Sequence, residues 1–269
     1  AAAAALAAGG LDPKLPQAIY KPTALAAKWA PSSLPYDPHE LQVRPWFMAS
    51  ASQLRIGPPP ALTSATYAAS VNETQARGAK DSKVRSPADT LAAKFWASYQ
   101  MDPPMRQIAD QPGRTTVQNA RMYALIALAS DDIGLMMADG KLFHAFWRPM
   151  NAIRQADSDG NDDTTIDPLW EPLLRTPGQP EYPCGHCTVA SVFSTILAAE
   201  GKPPPGGLHF TTEKMPGISI TVPDWPAYAK AVDQSRIDAG VHFRFTAEAS
   251  DPAGQQLGRM ALARLAPLK

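Results

Sequence analysis

Pro183-CGHCTVASVFSTILAAE-Gly201 is the stretch on which the reading of this chain turns. A proline and a Cys-Gly step open it, an apolar run follows, and Gly201 closes it, so a helix is expected over 185–200. The first N–H groups of such a helix have no intrahelical acceptor and favour an anion. Gly185 lets a ligand approach the backbone closely. His186 then stands at the helix mouth as a candidate general acid or base.

Helical signals extend on both sides. Ser86-Pro87-Ala88-Asp89 combines an N-cap, a first-turn proline and a first-turn acid, with Leu91, Ala92, Phe95, Trp96 and Tyr99 following toward a core. A longer helix is expected from Thr115 to about Met137, with Met122, Leu125, Ile126, Ile133 and Met136 at helical spacing. Gly140 reads as an interruption and Lys141–Arg154 as a further helix. Residues 225–243 and 248–265 read as the last two. Strand signals are weak apart from Ile218–Val222. The expected architecture is all-α. Residues 1–80 are expected to form an extended Pro-rich N-terminal arm over the core, with a short helix near 66–78, and residues 81–269 the helical domain. The 28 prolines crowd into 11–62, 175–183 and 203–226, which marks irregular wraps and loops.

Twenty-five basic side chains balance 25 acidic ones, so nothing points to nucleic acid or an anionic membrane, and a cationic site must be local. No apolar run reaches the length of a membrane span. Ala1–Gly10 lacks the basic start of a signal peptide. Two cysteines alone do not define the redox compartment.

The local cations lie in three segments. Lys141 and Arg148 are seven apart, which on a continuous helix puts both on one face roughly 10 Å apart. His144 shares that face. Arg236 and His242 are expected on one later helix, with Asp238 four before His242. Each segment alone has an ordinary structural explanation: a solvated basic face, a half-buried histidine, a Pro-Gly helix start. Together, three cations, two histidines and a Gly turn suit a tetrahedral oxyanion, phosphate or vanadate.

Lys141-x6-Arg148-Pro149, Pro183-Cys184-Gly185-His186 and Ser235-Arg236-x5-His242 resemble the vanadium-dependent haloperoxidase and type 2 phosphatidic acid phosphatase superfamily, its bacterial haloperoxidase-like branch in particular. The likeness covers about 85–265. It implies the helical bundle of that family. By match, Lys141, Arg148 and Arg236 would neutralise the oxyanion, Cys184 and Gly185 would line it, and His186 would move protons. His242 would bind vanadium or attack phosphorus, and Lys141 would be the foremost polarising cation. Two positions depart from the pattern. Cys184 stands where the family has serine, and a thiol is a poor oxyanion donor that peroxide oxidises; a Cys184–Cys187 disulfide would protect it. Thr246 stands where the family places an Asp that orients the histidine, and Asp238 is a candidate substitute.

The resemblance implies a vanadate-dependent enzyme oxidising halide with hydrogen peroxide, acting on a small organic substrate, with Phe143 and Gln179 as candidate pocket residues. The alternatives are an acid phosphatase with a phosphohistidine intermediate and no metal, and an oxyanion-binding homologue with impaired catalysis. Cys-Gly-His-Cys also matches a thiol–disulfide exchange motif, but the βαβ framework such a domain needs is absent from the pattern. Asp157-SDGNDD-Thr164 lacks the closing glutamate of a calcium loop. Export to a periplasmic or extracellular space is expected rather than a cytoplasmic location, and a homo-oligomer is compatible with the sequence.

Overall fold

The computed structural model describes residues 25–30 and 43–265. Among them the chain is a helical bundle with one small antiparallel hairpin. In chain order the elements are α1 (Ala65–Gly78), α2 (Pro87–Phe95), α3 (Asp102–Ala109), α4 (Thr116–His144), α5 (Pro149–Arg154), α6 (Gly185–Glu200), β1 (Leu208–Thr211), β2 (Ser219–Val222), α7 (Trp225–Asp238) and α8 (Arg244–Arg264). Leu208 pairs with Val222 and Thr211 with Ser219.

Local chemistry sets the helix starts. Ser86 accepts from Asp89 N–H while the Asp89 carboxylate reaches back to Ser86 N–H, a reciprocal capping box with Pro87 in the first turn. Thr115 and Gln118 do the same for α4.

α6 is the central helix, packed against α4, α7 and α8. Ile196 and Leu197 are fully buried there, and each such side chain contributes roughly 1.5–3 kcal/mol. The α6–α8 approach is close because of glycine. A Cβ on Gly254 would lie 2.8 Å from Ser191 Cβ and 3.0 Å from the Thr188 carbonyl oxygen.

Gly140 does not interrupt a helix. α4 runs through it to His144, and a Cβ there would meet the Pro183 ring at 2.9 Å. The glycine admits the loop before α6 rather than ending α4. The break falls at Ala145, whose φ of 47° is left-handed. Lys141 and Arg148 therefore do not share one helix: Arg148 is the N-cap residue of α5. The other long helix read from sequence also divides. α7 ends at Asp238, and Gly240 turns the chain at φ 73°, in a place where a Cβ would sit 2.5 Å from the Gly78 carbonyl oxygen. His242 consequently lies between α7 and α8, not on the helix of Arg236.

Much of the Pro-rich N-terminal stretch, residues 1–24 and 31–42, lies outside the described residues. The part that is described is fastened to α4. Buried Asp132 accepts from the N–H groups of Trp46, Phe47 and Met48 at 2.7, 2.8 and 3.2 Å. Arg55 grips Asp139 with two bonds of 2.7 and 2.6 Å. Residues 27–29 bind the bend after α4: Trp29 N–H donates to Ala145 O at 2.7 Å and Trp147 N–H to Ala27 O at 3.0 Å.

Candidate active site

Five segments converge: the end of α4, the start of α5, the loop into α6, the end of α7 and the turn into α8. Each contributes one polar side chain, and all are buried or nearly so. Lys141, Arg148, Arg236 and His242 are 1, 1, 4 and 3% exposed. Burial of that degree demands partners for every charge.

His242 is held on both ring nitrogens. Nε2 lies 3.0 Å from Arg148 Nη1, and Nδ1 lies 2.8 Å from Glu181 Oε1. Arginine can only donate, so Nε2 is the acceptor and Nδ1 carries the proton. Burial, then the nearby Arg148, Lys141 and Arg236 charges, hold the ring well below its ordinary pKa. The imidazole is thus neutral, with its Nε2 lone pair turned toward the cations.

Arg148 also donates through Nε to the Gln179 carbonyl and through Nη1 to the Val241 carbonyl, both at 2.8 Å. Gln179 thus meets the site through its backbone. Burial pushes the Arg148 guanidinium down to about 10, and that of Arg236 likewise. Arg236 differs in one respect: its Nε and Nη1 are buried with no hydrogen-bond partner. Orphaned donors on a buried cation are costly unless an acceptor meets them.

Lys141 is engaged elsewhere than the sequence suggests. Its ammonium donates to the carbonyls of Pro180, Glu181 and Pro183 at 2.7, 3.2 and 2.6 Å. Those three bonds use all its protons. Burial, reinforced by Arg148, lowers its pKa well below the usual range. In this geometry Lys141 fastens the loop that leads into α6, instead of pointing a free ammonium at a ligand.

α6 begins at Gly185. Its N-cap residue, Cys184, is disulfide-bonded to Cys187. Cys184 Sγ accepts from Cys187 N–H at 3.2 Å, and Cys184 N–H donates to Ser250 Oγ at 3.0 Å. Cys184 therefore supplies no thiol donor and no thiol to oxidise. His186 stands in the first turn, and Gly185 and His186 N–H have no intrahelical acceptor by position. Burial, then the Arg236 charge, push His186 down to about 3, against the Ala97 carbonyl bonded to its ring.

The acid bonded to His242 is Glu181, which sequence reasoning missed. It is 0% exposed and sits 61 positions before the histidine. Its Oε1 also accepts from Phe243 N–H at 3.1 Å, and its Oε2 from Thr246 Oγ1 at 2.8 Å. Burial pushes this carboxyl up to about 7, while Arg148 and its donors pull it down. Its nearness to the motif at 183–186 was the one available signal.

Three candidates stand elsewhere. Asp238 is bonded by Arg77 Nε at 2.7 Å and by Gln234, so it does not substitute for the missing acid. The helix ends at Asp238, so the four-residue spacing to His242 no longer puts the two on one face. His144 bonds the Ile56 carbonyl at 3.2 Å and packs edge-on to Tyr182. Phe143 is 62% exposed beneath the Arg55 guanidinium. Neither belongs to the pocket. The Asp157–Thr164 loop is an internally bonded turn, with Asp159 accepting from Asn161 N–H and Thr164 Oγ1 at 2.8 Å each.

Fold and cluster together define a helical-bundle protein with a buried set of cations gathered around a histidine. Residues 121–268, more than half of the chain, match the VCPO second helical-bundle domain, and the chain belongs to the vanadium haloperoxidase family. The vanadium chloroperoxidase of Curvularia inaequalis is 30% identical over 186 residues, covering 55% of this chain and 30% of that protein. The first bacterial vanadium-dependent iodoperoxidase superposes with a TM-score of 0.74 at 22% identity, over 93% of this chain and 63% of that one. A holo-type bacterial vanadium-dependent chloroperoxidase gives 0.69 at 20%, over 91% and 64%. At these identities the structural likeness is one of fold. The chain spans about a third of the curated relative and under two thirds of the solved ones. No described helix is long and apolar enough to cross a membrane.

Proposed function

We propose that the chain is a vanadate-dependent, haloperoxidase-like enzyme that oxidises halide with hydrogen peroxide at the cluster around His242. Arg236 carries this reading. Its two orphaned buried donors share a cluster with Arg148 and with a histidine whose Nε2 is unprotonated. That set fits a tetrahedral oxyanion of vanadate's charge. His242 Nε2, Arg236, Arg148 and the Gly185 N–H would hold it. Bound vanadate supplies Lewis acidity toward peroxide.

The remaining chemistry is done by this chain's own side chains. Glu181 fixes the His242 tautomer. Lys141 holds the loop that presents Gly185. His186, neutral in this environment, accepts a proton from an incoming hydroxyl group and returns it. An anion that offsets the three cations raises the His186 pKa toward working pH, where acid–base exchange is most effective. The disulfide suits an enzyme exposed to oxidant and one exported to an oxidising compartment.

Bromination of a phenolic probe by purified protein tests this. Bromide and peroxide are supplied with and without orthovanadate, with His242→Ala as control. Vanadate-dependent bromination absent from the variant supports the reading; bromination without vanadate, or none at all, removes it.

Glu181 favours a second reading, an acid phosphatase. A carboxylate on Nδ1 leaves Nε2 as a nucleophile able to attack phosphorus, with His186 protonating the leaving oxygen. Hydrolysis of p-nitrophenyl phosphate, inhibited by vanadate and lost in His242→Ala, distinguishes this reading from the first.

A further inference from the structure

Thr246 and His242 converge on a single carboxylate that comes from a different segment of the chain. Thr246 Oγ1 donates to Glu181 Oε2 and His242 Nδ1 to Glu181 Oε1, both at 2.8 Å, and Phe243 N–H adds a third donor at 3.1 Å. The three donors lie in the turn into α8 and in the first turn of that helix. The acceptor hangs from the loop into α6, whose backbone is clamped by Lys141 through the Glu181 carbonyl and its neighbours.

We propose that Glu181 is the positioning residue of His242, held in register by Thr246, and that the two side chains form an exchangeable acid–hydroxyl pair. The inference rests on the oxyanion site proposed above. Thr246 is then not a defect of the site but half of a device that supplies the carboxylate from across the fold. Loop and histidine are tied to each other, so the segment presenting Gly185 N–H and the ring presenting Nε2 keep one mutual geometry. Glu181 accepting at Nδ1 and Arg148 donating at Nε2 support the same tautomer, so Nε2 keeps the lone pair that would bind the central atom of an oxyanion. Without that acceptor only the Arg148 donor at Nε2 would hold the tautomer, and the ring would lose its tie to the loop.

The test combines two readouts besides turnover. Nitrogen-15 NMR of ligand-free, histidine-labelled protein, assigned with His242→Gln, reads the tautomer. Calorimetric titration with orthovanadate and with inorganic phosphate reads oxyanion affinity. Wild type shows His242 protonated on Nδ1. Glu181→Thr, left with Arg148 alone to hold the ring, shows a smaller Nδ1–H population and weakens oxyanion binding roughly 10- to 100-fold. The exchange variant Glu181→Thr/Thr246→Glu recovers the Nδ1–H tautomer and most of the affinity, which a merely space-filling role for position 181 does not explain.

An Nε2–H tautomer in wild type overturns the proposal before any variant is made. So does undiminished oxyanion affinity in a folded Glu181→Thr, or an exchange variant that folds and binds no better than the single one. If Glu181→Thr does not fold, Glu181→Gln, which keeps the shape and removes the charge, must still weaken binding. Should wild type bind neither anion, the oxyanion reading fails on its own, while the tautomer measurement continues to decide the role of Glu181.

Discussion

Arg148 donates through Nη1 to Nε2 of His242 across 3.0 Å, and the same nitrogen reaches the Val241 carbonyl at 2.8 Å. One guanidinium therefore fixes both the ring of His242 and the backbone just before it. A lysine there keeps the charge and loses the planar fork. Arg148→Lys is expected to weaken phosphate or vanadate binding by roughly 10- to 100-fold, the loss of a charge-assisted hydrogen bond. Calorimetry on the variant measures this.

Lys141 is a structural clamp as well as a charge. Removing its ammonium strands the carbonyls of Pro180, Glu181 and Pro183, and each stranded buried group costs about 1–3 kcal/mol. Lys141→Met is expected to lower Tm and to speed amide exchange over residues 180–186, in addition to weakening oxyanion binding. A loss of binding with unchanged exchange in this loop contradicts the clamp.

His186 has a depressed pKa in the folded protein, about 3 against an ordinary 6.5. Below about 6.5 the unfolded chain binds a proton that the folded one refuses, so stability falls as pH drops from there toward about 3. His186→Gln is expected to flatten that limb of the stability curve, measured as urea midpoints between about pH 8 and pH 4. Phosphate offsets the neighbouring cations, so it is expected to raise the His186 titration midpoint in NMR.

Buried Asp233 of α7 and half-buried Asp251 of α8 form a carboxyl pair, with no other donor on either Oδ1. Burial, then the Asp251 charge, push Asp233 up to about 8, and burial raises Asp251 too. A carboxyl with a raised folded pKa keeps a proton that the unfolded chain has released, so the pair loses stability as pH climbs from about 4 to about 8. Asp251→Asn is expected to raise Tm by a few degrees at about pH 8 and to change little at about pH 5. Thermal melts at the two pH values check the sign.

What the chain discloses without a structure is the part encoded locally. The boxes at Ser86 and Thr115, the helix from Gly185 to Glu200 and the three basic motifs follow from spacing and capping. What escapes is encoded by contact. Gly140 reads as a helix breaker because its reason, the Pro183 ring, lies over forty residues away. Arg236 and His242 read as one helix because the turn at Gly240 is dictated by its crossing with Gly78. Asp238 has helical spacing to His242 but a helix that stops, and its carboxylate goes to Arg77. Glu181 belongs to no periodic pattern, and only the folded chain brings it to His242.

The central claim is one oxyanion site built on His242. Equilibrium titration of the purified protein with orthovanadate, followed by competition with phosphate, tests it most directly. The account predicts one vanadate per chain, displaced by phosphate and lost in His242→Ala. Vanadate binding that survives in His242→Ala, or wild-type protein that binds neither anion, would contradict it.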